Sequence, residues 1–254
     1  MTMIVAASSK DPTILAVFLF GGGLFGFFWG LRAYSRKRLM QNTPTSTVAS
    51  VALGPAELQG RAIPHGTPMT SPIMQAPCVY WRYTVEEYRK GKKSGRWVTI
   101  ARDERRVPFF VEDDTGKILV DSMGAEIDIP QDLREQTGMF GGLSANAQVF
   151  CNRQGYGTGF FSRDKRFTEW HIAPDDTLYV FGAVVAPEGQ MAGVTKVEDR
   201  LVRSDRSCSF FYIADKSAKE VESAYAWKAA GGIFGGGLVV LVGLGILLNK
   251  FGIL

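Results

Sequence analysis

The sequence predicts a mainly β membrane-proximal domain flanked by two transmembrane α-helices. Two long apolar stretches without a charged residue lie near the two ends of the chain, and between them apolar and polar residues alternate in short runs typical of strands. Basic residues crowd the inner flank of both apolar stretches. These patterns divide the chain into an N-terminal tail (1–12), a first span (13–31), a basic flank and linker (32–53), a β-rich domain (54–214), a helix containing the second span (215–248) and a C-terminal tail (249–254).

The first apolar stretch, "TILAVFLFGGGLFGFFWGL", is long enough to cross a bilayer, because about 1.5 Å of rise per residue gives it roughly 30 Å. A cleaved signal peptide is the alternative, and it would need a basic segment before the stretch and a small-residue cleavage site after it. Lys10 and Asp11 instead cancel before it, and "RAYSRKR" follows. We therefore expect a retained anchor. The second stretch, "AAGGIFGGGLVVLVGLGILL", is of similar length.

The distribution of basic residues predicts the orientation, since cytoplasmic flanks carry an excess of Lys and Arg. The outer flanks hold only Lys10 and Lys250. The inner flanks hold Arg32, Arg36, Lys37, Arg38, Lys216, Lys219 and Lys228. Both biases predict a two-pass protein of the plasma or inner membrane, with residues 32–228 in the cytoplasm and both termini outside. The aromatic residues expected at the membrane interface are Trp29, Tyr34, Tyr225 and Trp227.

The net charge of +4 argues against nucleic-acid binding, because the charges between the spans nearly balance and the excess lies beside the membrane. There it favours contact with anionic lipids. A second basic cluster occupies a predicted hairpin loop and is a candidate lipid or partner contact, although a solvated hairpin tip is the simpler interpretation. Its members are Arg89, Lys90, Lys92, Lys93 and Arg96.

Alternation predicts the first strands of the domain. In "CVYWRYTVEE", one face would hold Val79, Trp81, Tyr83 and Val85, and the other Cys78, Tyr80, Arg82 and Thr84. "RWVTIAR" repeats the pattern after a glycine-containing loop, and "VPFFVED" and "KILVDS" flank a turn at "DTG".

The second half of the domain contains a glycine-rich segment (138–162), interpreted as an exposed or mobile loop, and two further strands, "DTLYVFGAVVAP" and "CSFFYIAD". After them Ser217 and Glu220 have capping-box spacing, and no proline follows before Leu248. This predicts one continuous helix that runs into the second span.

Candidate reactive residues are few: three cysteines (Cys78, Cys151, Cys208) and two histidines (His65, His171). No pair has zinc-site spacing, so no metal or cofactor is expected. Cys78 could be a nucleophile only with a nearby base, and packing in a strand is the favoured interpretation. His171 is expected at a strand edge. Gly155, Gly157 and Gly159 resemble a phosphate loop superficially but lack the residues that follow one.

Glycines at spacing four mark both spans and predict close helix packing, either within the chain or in a homo- or hetero-oligomer. They are Gly22, Gly26 and Gly30 in the first span, and Gly231, Gly232, Gly235 and Gly236 in the second.

The order of "ELQGRAIP", "SPIMQAPCVYWRYTVEEY", "GRWVTI", "VPFFVEDDTGKILVDSMGAEID", "EWHIAPDDTLYVFGAV" and "YIADKSAKEVESAYAWK" before a membrane span resembles the GIDE/Mulan family of E3 ubiquitin ligase-like membrane proteins. The resemblance covers roughly residues 54–248. It implies a β-rich beside-a-membrane domain between two spans, with Cys78 in the shared domain. Organelle members add a C-terminal RING, which is expected to be missing here as in a prokaryotic-type member, so ligase activity is not carried over.

These observations favour a membrane-surface interaction or sensing module with an unknown protein partner over an enzyme. The alternatives are a membrane-bound transferase related to RING E3 ligases, or a component of an oligomeric membrane assembly or pore.

Overall fold

A computed structural model describes residues 12–91, 94–138, 142–157, 162–186, 199–206, 208 and 210–252. The chain forms two compact units, one made of its two ends (Met1–Asn42 and Ala218–Leu254) and one of its middle (Thr43–Ser217). The first unit is helical and the second is rich in β-strands, which confirms the predicted fold class.

The helical unit contains two helices long and apolar enough to cross a membrane. Helix α1 is Pro12–Asn42. The second consists of α3 (Ala218–Ala230), a π-helical segment (Gly231–Gly235) and α4 (Gly236–Lys250). The predicted continuous helix is therefore present, with one wider turn at its glycines. Helix α1 also runs through residues 32–42, where the sequence analysis placed the start of a linker.

Five strands of the middle unit close into a barrel. Neighbours in the ring follow the order β1, β6, β7, β12, β11 and back to β1, with one parallel pair, β7 with β12. Such a five-stranded barrel is the architecture of the OB fold. The bounds are β1 (Gly54–Pro64), β6 (Phe109–Asp113), β7 (Gly116–Val120), β11 (Thr177–Val185) and β12 (Leu201–Arg203).

Strand β1 closes the barrel because it pairs along both of its edges. Its first part pairs with β11 from Gly54 to Arg61, and its last part pairs with β6 from Arg61 to Pro64. Gly60 lies at this junction, and a Cβ built there would collide with the backbone of Glu112. Glycine is thus required where the two neighbouring strands converge.

Side chains from all five strands fill the barrel, including Leu58, Val111, Ile118, Val180 and Val202, which are almost fully buried. Strand β11 is buried along most of its length. Burial of this kind supplies the main driving force for folding of the domain.

A second sheet is inserted between the strands of the barrel. Its order is β5, β4, β10, β9, and helix α2 packs on one of its faces. The bounds are β4 (Tyr80–Lys90), β5 (Gly95–Arg106), β9 (Leu133–Gln136), β10 (Lys165–Ile172) and α2 (Ala145–Gln154). Shorter strands complete the unit: β2 (Met69–Thr70), β3 (Pro77–Cys78), β8 (Glu126–Asp128) and β13 (Tyr212–Ala214).

Both predicted hairpins are present. Strands β4 and β5 pair from Tyr80 with Arg106 to Lys90 with Gly95, and β6 and β7 pair up to Asp113 with Gly116. The long first hairpin contains a β-bulge, where the register shifts between Val85 and Glu86. The strands of this hairpin are longer than the short runs that the sequence indicated.

The interpretation of residues 138–162 as a loop without regular structure was wrong for its centre. Helix α2 occupies Ala145–Gln154 and buries Ala147, Phe150 and Cys151 against the inserted sheet. Ser144 caps its N-terminus by accepting from the N–H of Ala147, and Gly155 ends it in the left-handed region. The helix is short and lies between glycine-rich segments, which concealed it in the sequence.

The predicted faces of "CVYWRYTVEE" were also wrong at their beginning. Cys78 belongs to the same buried cluster as Trp81, Tyr83 and Val85, whereas Val79 lies in the barrel core. The reason is a bend at Val79, which separates β3 from β4 and interrupts the alternation. Val79 instead bonds to the backbone of Ile172 and Val107.

Replacing Gly60 with Ala should destabilise the domain, because the new Cβ would push β1 away from the Glu112 backbone. We expect the free energy of unfolding to fall by about 1–3 kcal/mol, measured by thermal or denaturant unfolding. Gly142→Ala is the matched control, since a Cβ at Gly142 would have no atom within 4 Å. Equal losses in the two variants would contradict the proposed role of the close approach.

Candidate functional site

The two apolar helices pack through glycine at close range. A Cβ built on Gly232 would lie 2.5 Å from the Cα of Gly30, and one built on Gly236 would collide with the backbone of Phe27. Backbones that approach this closely exclude any side chain between them, which is how small residues let membrane helices associate. The π-helical turn contains Gly232 and so forms part of this contact.

Only part of the predicted glycine set lies in this contact. Gly26 is also there, since its Cβ would lie 3.6 Å from Gly236, but Gly22, Gly231 and Gly235 have open space around the corresponding position. Two other glycines, Gly23 and Gly243, make close backbone contacts that spacing-four counting missed. The spacing of glycines along one helix does not predict which of them contact the other helix, because that depends on how each helix is rotated about its axis.

Beyond the apolar stretches both helices continue as a polar two-helix stalk, residues 32–42 paired with residues 218–228. The Arg36 guanidinium donates to the Tyr225 hydroxyl at 3.3 Å, and Gln41 donates to Glu222 at 2.5 Å. At about 1.5 Å per residue each half of the stalk extends roughly 16 Å. The β domain joins this stalk through Asn42–Thr43 and Ser217–Ala218.

Three of the four aromatic residues predicted for the membrane interface are exposed. Trp227 is 77% exposed, and Trp29 and Tyr34 are also open to their surroundings. Tyr225 differs, because it is 2% exposed and its ring lies beneath the cations of Arg36 and Lys228. Tyr225 therefore holds the stalk together rather than presenting its ring to lipid.

The basic cluster lies at the tip of the β4–β5 hairpin. Arg89, Lys90 and Arg96 are exposed, while Lys92 and Lys93 lie outside the described residues. Arg89 and Arg163 both contact the Glu87 carboxylate, and these bonds lower the pKa of Glu87. Glu87 thus neutralises part of the charge that the sequence suggested for this tip.

Cys78 is fully buried, in the cluster against which α2 packs. Burial raises the pKa of its thiol to about 12, and the nearby charge of Glu169 acts in the same direction. A thiol with such a pKa stays protonated at physiological pH and is a poor nucleophile. Its surroundings support the packing interpretation.

Glu169 was not singled out in the sequence, yet its carboxylate is fully buried. It accepts hydrogen bonds from the N–H of Ile73 at 2.7 Å and of Met74 at 3.1 Å. These bonds fix the turn in "SPIMQAP" to strand β10. Its strand, KRFTEWHI, contains several other polar residues, so the sequence pattern does not distinguish Glu169 as the buried one.

The other reactive candidates are structural by position. Cys151 and Cys208 are buried, and burial raises the pKa of both. His171 lies near the end of β10, with its Nδ1 3.3 Å from Asp132, and His65 contacts the ring of Phe110. Among the described residues, no group of three or more His, Cys, Asp or Glu is placed to hold a metal ion.

The predicted glycine-rich motif does not form a single loop. Gly155 ends α2, and the carbonyl of Gly157 accepts from the buried Lys165 ammonium at 2.9 Å. Gly159 lies outside the described residues.

A protein-family model described as GIDE, E3 ubiquitin ligase, matches residues 81–248. The chain belongs to the GIDE family. The match begins in β4 and ends in α4, so the GIDE region covers the inserted sheet, most of the barrel and the second apolar helix. The family resemblance seen in the sequence is confirmed. No curated protein and no solved structure matches the chain.

With the family and the two helices together, this GIDE protein is a membrane protein with a β-rich domain between two candidate spans.

Replacing Gly232 with Val should weaken the pairing of the two apolar helices, because the added atoms would collide with Gly30. We expect a loss of about 1–3 kcal/mol in unfolding measured in detergent micelles. Gly231→Val is a control in the same helical turn, since a Cβ at Gly231 meets no atom within 4 Å. A larger effect of Gly231→Val than of Gly232→Val would contradict this helix packing.

In the folded protein, Cys78 should resist thiol-specific reagents at about pH 8, because its pKa near 12 leaves almost no thiolate. Reactivity should rise only as pH approaches the raised pKa, or when denaturant opens the core. Maleimide labelling read by peptide mass spectrometry measures this. Rapid labelling of Cys78 in the native protein would contradict its inert packing role.

Proposed function

We propose that this protein is a two-pass membrane protein whose β-rich domain serves as a membrane-surface interaction or sensing module. The observation that carries the proposal is the two-helix stalk. The domain is inserted between the two helices and joins both, so a binding event on the domain acts on two membrane helices at once. Glycine-mediated packing of the helices provides an element that such an event could alter.

The environment of the reactive residues supports binding over catalysis. Cys78, Cys151 and Cys208 are buried thiols with raised pKa values. A catalytic thiol requires the opposite, namely a lowered pKa and access to solvent. The role we propose for the domain therefore depends on its surface.

The proposed orientation places the domain in the cytoplasm and both ends of the chain outside. The asymmetric distribution of basic residues supports this orientation. Four basic residues follow the first apolar stretch: Arg32, Arg36, Lys37 and Arg38. Within the described residues, Lys250 is the only basic residue that follows the second. The basic residues at the base of the stalk would meet anionic headgroups of the inner leaflet.

A second candidate follows from the description of the matching family, an E3 ubiquitin ligase. A transferase role would make the domain a substrate-holding part of a ligase. Incubation of the purified protein with ubiquitin and its activating and conjugating enzymes would distinguish the candidates. Ubiquitin transfer dependent on this protein would favour the ligase.

Orientation can be tested with a single cysteine introduced at Ser94 in the hairpin loop of a variant whose native cysteines are replaced by Ala. We expect a membrane-impermeant maleimide to label it only after the cells are permeabilised. A cysteine replacing Thr2 is the matched control and should label in intact cells. Labelling of Ser94→Cys in intact cells would overturn the orientation.

A further inference from the structure

One face of the inserted sheet is partly exposed, while the other is covered by α2. Alternation along β4, β9 and β10 assigns residues to this face, and the pairing of β5 with β4 assigns those of β5 across the β-bulge. We call it the arginine face. It comprises Arg82, Thr84, Glu86 and Tyr88 from β4, Trp97, Thr99, Arg102, Glu104 and Arg106 from β5, Arg166, Thr168 and Trp170 from β10, and Arg134 and Gln136 from β9.

The middle of this face is a row of four residues that lie side by side across the sheet. Arg102 pairs with Thr84, Thr84 with Thr168, and Thr168 with Arg134. With strands about 4.8 Å apart, the two outer arginines start roughly 14 Å from each other. The two arginines flank two short threonines, of which Thr84 is half-buried and Thr168 is buried.

The outer arginines of the row have no acidic partner among the described residues. Arg102 and Arg134 are exposed, and neither forms an ion pair with any residue in the part of the chain that the structure describes. Exposed strands commonly pair charges across the sheet, and this row places positive charge at both ends instead.

The two neighbouring rows contain two more arginines, and the guanidinium group of each lies over an indole ring. The Arg82 guanidinium lies 4.5 Å from the ring centre of Trp170, and that of Arg166 lies 3.9 Å from Trp97. Arg166 also forms an ion pair with the Glu86 carboxylate at 3.3 Å. Stacking restricts these long side chains before any ligand arrives and so reduces the entropy lost on binding.

The charge of the face is strongly positive. Its two glutamates are each engaged by an arginine, Glu86 by Arg166 and Glu104 by Arg106. All of its basic residues are arginines, and the nearest lysine along β4, Lys90, lies at the hairpin tip. Planar guanidinium groups suit bidentate contact with carboxylates, whereas lysines act as point charges.

We propose that the arginine face binds an extended, acidic segment of a partner protein. In an extended segment that crosses the strands, alternate side chains are about 7 Å apart, so two such repeats span the roughly 14 Å between Arg102 and Arg134. Its carboxylates would meet Arg102, Arg134 and Arg82, and Thr84 and Thr168 would lie beneath its backbone. The indole rings are already covered by guanidinium groups, which disfavours stacking of nucleic-acid bases. This inference rests on the proposed interaction role and names the surface and chemistry of the partner.

The test uses the full chain in detergent micelles and a fluorescent peptide of about ten residues with glutamate at alternate positions. Anisotropy should show saturable binding, and the matched peptide with glutamine should bind at least about tenfold more weakly. The double variant Arg102→Glu with Arg134→Glu should lose at least about tenfold in affinity. Unchanged thermal unfolding would show that the variant is folded.

Arg105→Glu is the matched control, since Arg105 is exposed on the same strand but its partner Trp81 lies on the opposite face. It should leave peptide affinity within about twofold of the original. The proposal would be overturned if Arg105→Glu lowered the peptide affinity as much as the double variant does. It would also be overturned if the glutamate peptide showed no saturable binding. Binding of phosphatidylserine vesicles through Arg102 and Arg134 without peptide binding would likewise overturn it in favour of a lipid site. These binding measurements do not depend on membrane orientation. The peptide can therefore fail to bind even if the Ser94→Cys labelling supports the orientation, and it can bind even if that labelling overturns the orientation.

Discussion

The double pairing of β1 is the constraint on which the rest of the domain depends. One strand hydrogen-bonds to β11 through its first part and to β6 through its last part, and Arg61 pairs with both neighbours. This closes the barrel and removes its free edges, which would otherwise be available for unwanted pairing. It also fixes where the β4–β5 hairpin leaves the barrel after β1 and returns to it before β6, whereas β9 and β10 join the same sheet from the segment between β7 and β11.

Anchoring of the inserted sheet follows from this closure. Val79 bonds to the backbone of Ile172, and the N–H of Val107 bonds to the carbonyl of Val79, so both ends of the long hairpin are held beside the barrel. Glu169 fixes the adjoining turn from within the core. One face is then packed against α2 by Trp81, Tyr83 and Phe167. The fold does not require the opposite face to be fully covered, so that face carries many polar and charged residues.

Features set by local sequence were predictable, and features set by long-range pairing were not. Apolar length predicted the two spans, turn residues predicted both hairpins, and the absence of proline between Ser217 and Leu248 predicted the continuous helix. The residues that pack around Cys78 depend on a bend at Val79, and no nearby residue predicts that bend. The meeting of Gly30 with Gly232 depends on helix rotation, and the row from Arg102 to Arg134 depends on the register of four strands distant in sequence.

The length of the stalk has an electrostatic consequence. Residues 43 and 217, where the β domain begins and ends, lie about 16 Å beyond the apolar stretches along the helix axis. At physiological ionic strength the Debye length is about 8 Å, so the potential of an anionic leaflet decays to roughly a seventh over that distance. In the proposed orientation, charges at the base of the stalk, such as Arg32, would therefore experience most of the potential of an anionic leaflet. The outer ends of the stalk, at residues 42 and 218, would lie where that potential is largely screened.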